Sequence, residues 1–255
     1  MNKINIPPKS LMRPIGRAIV DYDMIRDGDR VLIGVSGGKD SLSLLHILKH
    51  LSTYAPVKFE LAALTIDPQV EGFDPSALKQ YIKAMGIPYF YEEYPIEAQA
   101  QKSMKKDSFC SFCSRMKRGL MYSVARREGY NVLALAQHLD DLAESFLLSA
   151  FHQGQLRTMK AHYLNDDGDI RIIRPLAYVR EPQTADFASE HKLPVIPDSC
   201  PACFSMPTQR DHVKQLLRSE EQQSKNIYQN LLAAMRPLML EGGVPGHPST
   251  DTNDQ

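Results

Sequence analysis

The chain has 255 residues, enough for one large domain or two small ones. Apolar residues make up 43% and charged residues 24%, the balance of a globular protein with a sizeable core, and no apolar run nears the roughly 20 residues of a membrane span. Formal net charge is zero, so the overall basicity of many nucleic-acid binders is missing. The opening residues MNKINIPPKS lack the apolar core of a signal peptide, which points to the cytoplasm.

Residues 11–24 carry Leu11, Ile15, Ala18, Ile19 and Tyr22 at helical spacing. Val31 to Val35 reads as a strand, and Ser41 to Leu51 as a helix packing Leu42, Leu45, Ile47 and Leu48. Phe59 to Ile66 is strand-like. Pro75 to Met85 is helical, with Asp74 as N-cap, Pro75 at the first helical position and Gly86 as the stop. Ile87 to Tyr91 is a short strand, and Met104 to Cys110 is a polar loop. Ser114 to Glu128 is a helix ended by Gly129, Asn131 to Ala136 a buried strand, and Asp140 to Phe151 another helix. Strands alternating with helices predict an α/β fold: a parallel sheet with helices on both faces.

The pattern then changes. A short hairpin is expected around Asp166-Asp167-Gly168. Glu181 to His191 is a helix, Leu193 to Ile196 an edge strand, and Thr208 to Leu217 and Gln222 to Met239 are C-terminal helices. Residues 241–255 are poor in apolar groups and rich in turn formers, so a disordered tail is expected. The divisions are an N-terminal helical segment (1–28), one main domain (29–240) and that tail.

The strand at Val31 runs into Ser36-Gly37-Gly38-Lys39-Asp40-Ser41. In a parallel sheet the loop at the carboxyl end of a strand is the default ligand site. The two glycines let backbone N–H groups turn inward, Ser41 opens a helix whose N-terminus favours an anion, and Lys39 adds a point charge beside the Ser36 and Ser41 hydroxyls. It is not a Walker A loop. The first Gly of that pattern falls on Ile33, and Asp40 stands where Ser or Thr is required after Lys39. No G-x-G-x-x-G fingerprint is present either.

Further on, Asp140 and Asp141 sit at a helix start, where carboxylates cap the backbone and also suit Mg²⁺, which prefers oxygen ligands and substrate phosphates. His138 either touches phosphate or packs. The four cysteines form two C-x-x-C pairs, Cys110/Cys113 and Cys200/Cys203. Thiolates in this pattern suit zinc or an iron–sulfur cluster, and spacing alone does not choose. Around the first pair Lys102, Lys105, Lys106, Arg115, Lys117, Arg118, Arg126 and Arg127 face only Asp107 and Glu128, either a solvated helix face or a patch for a polyanion.

The loop S-G-G-K-D-S after a first buried strand resembles the PP-loop of the N-type ATP pyrophosphatases. The stretch from Ala136 to Asp141 is similar to the G-H-x-x-D-D signature of their tRNA-modifying branch, with Ala136 and Gln137 in place of Gly and the first His. With Arg174-Pro175-Leu176 and Arg180-Glu181, and with FCSFCSRMKRGLMYSVA, the chain resembles the tRNA 2-thiocytidine synthetase family over residues 17–235. The resemblance implies an adenine nucleotide alpha hydrolase-like, Rossmann-like domain that cleaves ATP to AMP and pyrophosphate. ATP and Mg²⁺ lie over Ser36, Gly37, Gly38, Lys39, Asp40 and Ser41, with Asp40, Asp140 and Asp141 near the metal, His138 close by, and Thr65, Ile66 and Asp67 toward AMP. Cys110, Cys113 and Cys203 hold a [4Fe–4S] cluster, with zinc as the alternative. Cys200 is a spare thiol, a fourth ligand or a sulfur relay, because DSCPACFSM departs from the family's continuation. Lys39, Asp40, Asp141 and Cys203 are the implied catalytic residues. The substrate is an anticodon-loop cytidine of tRNA, position 32 in the family. C2 is adenylated and then thiolated, with a sulfur donor such as a cysteine desulfurase; a homodimer is left open. Two other readings stand beside this one: a PP-loop enzyme adenylating another tRNA base or a small molecule, and a non-catalytic nucleotide- and metal-binding redox sensor.

Overall fold

The computed structural model describes residues 6–70, 72–103, 109–197 and 208–240. The expected tail lies outside the described residues, as does most of the expected polar loop at 104–110. Helix α1 (Lys9–Asp21) precedes β1 (Asp29–Gly34), α2 (Lys39–Tyr54), β2 (Phe59–Asp67), α3 (Ser76–Ala84) and β3 (Tyr89–Glu93). Then come α4 (Ile96–Ser103), α5 (Phe109–Glu128), β4 (Val132–Ala134) and α6 (Leu139–Gln153). The hairpin β5 (His162–Leu164) and β6 (Arg171–Ile173) leads through a 3₁₀ turn (Pro175–Tyr178) to α7 (Glu181–Glu190). Helices α8 (Gln209–Gln223) and α9 (Ile227–Met235) follow, with a final 3₁₀ turn at Arg236–Met239.

The six strands lie in the order β3-β2-β1-β4-β6-β5. All neighbours pair parallel except β5, which runs antiparallel at the edge. Strand β1 reads as a continuous apolar run because both its faces are covered. Val31 and Ile33 enter one apolar cluster, with side chains of α1, α2, α3, α6, α7, α8 and α9. Leu32 faces the other way, against Val124 and Ala125 of α5. The N-terminal helix belongs to the first cluster, burying Leu11, Ile15 and Ala18 completely. At the amino ends of the strands, buried Asp29 accepts from Arg171 and from Asn131 Nδ2 (3.0 Å), tying β1, β4 and β6 together.

Strand order reverses at β1: β2 and β3 lie on one side, β4 and β6 on the other. The loops after β1 and β4 therefore part and leave a crevice at the carboxyl edge, where such sheets bind ligands.

Several elements differ from expectation. Residues 193–196 do not form an edge strand. Pro194 cannot donate a ladder hydrogen bond, and Ile196 N donates instead to Gly37 O (3.0 Å), so this segment straps the loop after β1. The expected helix from Gln222 to Met239 is divided, because Ser224 is extended between α8 and α9. Pro75 is the N-cap of α3 rather than its first residue, and Asp74 Oδ1 accepts from Ser76 N (2.9 Å). Helix α4 carries too short an apolar pattern to stand out in the sequence.

Candidate functional site

Beyond β1 the backbone is pinned to β2. Val35 N donates to Leu64 O (2.7 Å) and the Thr65 hydroxyl donates to Val35 O (2.8 Å). The chain then turns through Gly37 at φ +89°, a conformation that L side chains avoid. A Cβ on Gly37 would lie 2.6 Å from Ile196 Cδ1 and 2.9 Å from Cγ1. The serines brace the loop from within: Ser36 N donates to Ser41 Oγ (3.2 Å), Gly38 N to Ser36 Oγ (3.3 Å), and Ser41 Oγ to Gly38 O (3.0 Å). Gly38 caps α2 without a side chain, so nothing shields the first N–H groups of that helix, which have no intrahelical acceptor.

Two more helices begin at the same place. His138 caps α6 in a reciprocal box: its Nδ1 accepts from Asp141 N (3.3 Å), and Asp141 Oδ2 accepts from His138 N (3.1 Å). Arg180 precedes α7. The N-termini of α2, α6 and α7 thus converge, shown by His138 Nε2 lying 3.8 Å from Asp40 Oδ2 and by Glu181 N donating to Asp140 Oδ2 (2.7 Å). Each terminus carries partial positive charge, and together they favour an anion.

The charged side chains are interlocked. Lys39 Nζ contacts Asp40 Oδ2 (2.9 Å) and Glu181 Oε1 (3.1 Å), and Lys214 Nζ of α8 contacts Glu181 Oε2 (2.8 Å). Burial opposes the charge of Lys39, but the two carboxylates outweigh it and hold its pKa above the ordinary lysine value. Burial likewise works against the Glu181 carboxylate, yet Lys214 and Lys39 pull it down to about 2. Asp40 Oδ1 accepts from the Thr184 hydroxyl. Asp140, buried, is held by Arg180 Nε (3.1 Å) as well as by Glu181 N, and Arg180 continues to Glu221 (2.7 Å) and lies over the Tyr228 ring.

The sequence pairs Asp140 and Asp141 as equals; the fold separates them. Asp140 joins α6 to α7, its oxygens accepting from Arg180 Nε and Glu181 N. Asp40 and Asp141 keep about a quarter of their side-chain surface, on either side of His138. Among the described residues no three His, Cys, Asp or Glu are grouped to hold a metal ion by themselves. Asp40 and Asp141 fit an ion completed by substrate oxygens, the usual manner of Mg²⁺. Thr65 is fully buried on Val35, and Asp67 accepts from Tyr91 Oη and from Gln69 N (2.7 Å), so both engage the protein itself.

The first cysteine pair lies on α5. Gly129, just after this helix, meets Arg30 near the start of β1, and Met121 touches Gly34 at its end. The eight residues from Met121 back to Cys113 add about 12 Å in the same direction. Cys113, half-buried, is therefore carried past the carboxyl edge of the sheet, toward the loop. The Cys110 side chain, Cys200 and Cys203 lie outside the described residues.

The basic stretch is only partly available to a polyanion. Arg126 pairs with Asp167 and Asp169, and Arg127 with Glu92 (2.6 Å) and Glu128 (2.7 Å). Lys117 and Arg118 lie nearer the carboxyl edge. Glu181, Thr184, Lys214 and Ile196 escaped identification as site residues. Only Glu181 had a signal, as the acid after Arg180 in a stretch resembling the family.

A family model described as a PP-loop domain matches residues 9–226. A tRNA-cytidine(32) 2-sulfurtransferase of Geobacter sulfurreducens is 41% identical over 232 residues, 91% of this chain and 90% of the relative. A protein of the same name in Citrifermentans bemidjiense is 36% identical over 240 residues, 92% of this chain and 94% of the relative. The solved U34-tRNA thiolase NcsA from Methanococcus maripaludis, with its [4Fe–4S] cluster, superposes at a TM-score of 0.76 and 22% identity, covering 92% of this chain and 80% of that one, which shows a shared fold. With the S-G-G-K-D-S loop in place at the strand-order reversal, the chain belongs to the PP-loop family and, within it, to the tRNA-cytidine(32) 2-sulfurtransferases.

Proposed function

We propose that the protein converts cytidine 32 of tRNA to 2-thiocytidine, consuming ATP and releasing AMP and pyrophosphate. The observation that carries this reading is the braced loop Ser36–Ser41 at the meeting of three helix N-termini, in a chain 41% identical to a named tRNA-cytidine(32) 2-sulfurtransferase.

In this reading ATP lies with its β- and γ-phosphates against the loop N–H groups and the Ser36 and Ser41 hydroxyls. The cytidine C2 oxygen attacks the α-phosphorus, the bond to the bridging oxygen breaks, and pyrophosphate leaves. Lys39 neutralises charge gathering on the departing group, in a site whose dipoles are already oriented. Asp40 and Asp141 would hold Mg²⁺. His138 keeps α6 and its carboxylates in register. Sulfur at the sulfide level then attacks C2, the bond from C2 to the adenylate oxygen breaks, and AMP leaves.

Cys110, Cys113 and Cys203 would hold a [4Fe–4S] cluster, which when bound supplies the site from which sulfur is delivered. Cys113 fits this role by projecting past the carboxyl edge of the sheet, and thiolates are the ligands such clusters take. A sulfur donor such as a cysteine desulfurase replenishes the sulfur, a thiol reductant supplying the two electrons that take persulfide sulfur to sulfide. A reacting base must be unpaired to enter, as in an anticodon loop. Lys117 and Arg118, between the cysteines and the sheet, would meet tRNA phosphates, and the protein acts in the cytoplasm.

Nucleoside mass spectrometry of tRNA from cells with and without the protein tests the reading. Loss of 2-thiocytidine on deletion is expected; an unchanged set of thiolated nucleosides refutes it. Iron and zinc analysis after anaerobic purification decides the metal.

A further inference from the structure

Helix α7 supplies two side chains to the two charged residues of the loop, Lys39 and Asp40. Glu181 and Thr184 are three apart, hence on one face of the helix. Glu181 Oε1 takes the Lys39 ammonium (3.1 Å), and the Thr184 hydroxyl donates to Asp40 Oδ1. The same helix is fastened at three further points. Glu181 N donates to Asp140 Oδ2 (2.7 Å), Glu181 Oε2 meets Lys214 (2.8 Å), and Ser43 Oγ donates to Thr184 O (3.3 Å). Thr184 is fully buried. A carboxylate at the start of a helix is ordinarily explained by the helix dipole. That explanation requires no lysine on either oxygen, and here each oxygen has one.

Lys39 and Asp40 are adjacent, and left to themselves they would pair. An ammonium seated on Asp40 opposes a cation on the same carboxylate. Lysine has three N–H donors. With one on Asp40 and one drawn toward Glu181, its charge is shared between two carboxylates, and the third donor is left for phosphate. Thr184 fixes the other oxygen of Asp40.

We propose that Glu181 and Thr184 are positioning residues: Glu181 shares the Lys39 ammonium with Asp40, and Thr184 orients the Asp40 carboxylate, so that Asp40 can take a divalent cation while Lys39 faces the pyrophosphate. The inference rests on the nucleotide-binding reading of the loop. Lys214 acts one step further out, balancing Glu181 so that a carboxylate can stand beside a phosphate site without repelling it.

The test measures Mn²⁺ binding by electron paramagnetic resonance in the full-length protein with α,β-methylene-ATP. Glu181→Gln and Thr184→Val are each expected to weaken Mn²⁺ about tenfold, the effect of one charge-assisted hydrogen bond. Affinity for the nucleotide without metal should not fall in Glu181→Gln. Thr184→Ser restores the hydroxyl and should restore Mn²⁺ binding. In a Lys39→Met background Glu181→Gln should have no further effect, because Glu181 acts through Lys39. Wild-type Mn²⁺ affinity in both variants overturns the proposal. So do additive effects of Lys39→Met and Glu181→Gln, or a loss of metal binding that only follows a fall in melting temperature and is not restored by Thr184→Ser. If the wild-type protein binds no Mn²⁺–nucleotide complex, the functional reading beneath it fails instead.

Discussion

Replacing Gly37 by Ala probes the loop at its tightest point. Two penalties arise. The backbone sits at φ +89°, outside the space an L residue prefers, which costs about 1–2 kcal/mol. The new Cβ would lie 2.6 Å from Ile196 Cδ1 and 2.9 Å from Cγ1. Ile196 cannot simply withdraw, since its own N–H donates to Gly37 O, and overpacking of this kind costs about 1–3 kcal/mol. The total is about 2–5 kcal/mol, concentrated in one loop. At 1.4 kcal/mol per decade it should lower affinity for α,β-methylene-ATP by at least about 30-fold. Calorimetric titration of the purified protein measures this. The double variant Gly37→Ala/Ile196→Ala removes the collision and leaves the backbone strain, so a deficit of about 5–30-fold should remain. Ile196→Ala alone keeps the backbone hydrogen bond and should bind nearly as the wild type. Should Gly37→Ala bind normally, or the double variant bind no better than the single one, the account of the strap is wrong.

Asp140→Ala leaves the Arg180 guanidinium and the Glu181 N–H without their shared acceptor. Breaking such a partly buried pair should cost about 3 kcal/mol and lower the melting temperature by about 6–12 °C in a scanning calorimeter. Asp141→Asn should leave melting nearly unchanged and weaken metal-dependent nucleotide binding, because its carboxylate is the more exposed of the two. Cys113→Ser should abolish thiolation and lower iron content after anaerobic reconstitution while nucleotide binding persists; retained thiolation would remove Cys113 from the ligand set. Buried His46 faces Tyr81 Oη through Nε2 (2.7 Å), and desolvation with nearby His191 lowers its pKa to about 4. The unfolded chain protonates near 6.5, so stability is complete above that pH and falls by about 3 kcal/mol as pH drops toward 4. His46→Leu should flatten that slope in urea titrations between pH 4.5 and 6.5; an unchanged slope would show that another group carries it.

Much of this molecule is legible in one dimension because its signals are local. An apolar, β-rich run ending in Gly-Gly marks a buried strand and a phosphate loop by nearest-neighbour sterics. Gly129 and Gly154 end α5 and α6 in the left-handed conformation that a helix stop needs. Residues 193–196 resemble an edge strand in sequence, but Ile196 N bonds to Gly37, far away along the chain, and no local pattern encodes that.

The charge pairs show the same division. Asp140 and Asp141 are indistinguishable in sequence, adjacent acids at one helix start. Only the approach of α7 makes Asp140 a structural tie and leaves Asp141 the more exposed of the two. Arg126 and Arg127 count as basic patch until the hairpin brings Asp167 and Asp169, and β3 brings Glu92, to neutralise them. Residue order alone carries the parallel α/β class, an anion-binding loop and the thiolate pairs, because turn sterics, helix-end chemistry and residue type act within a few residues; that the anion is pyrophosphate came from the resemblance to the family. Only the folded chain settles which of the two carboxylates is buried, which lysines share Glu181, and that the segment beyond α7 straps the loop, because those depend on elements that meet only once the sheet has closed its crevice.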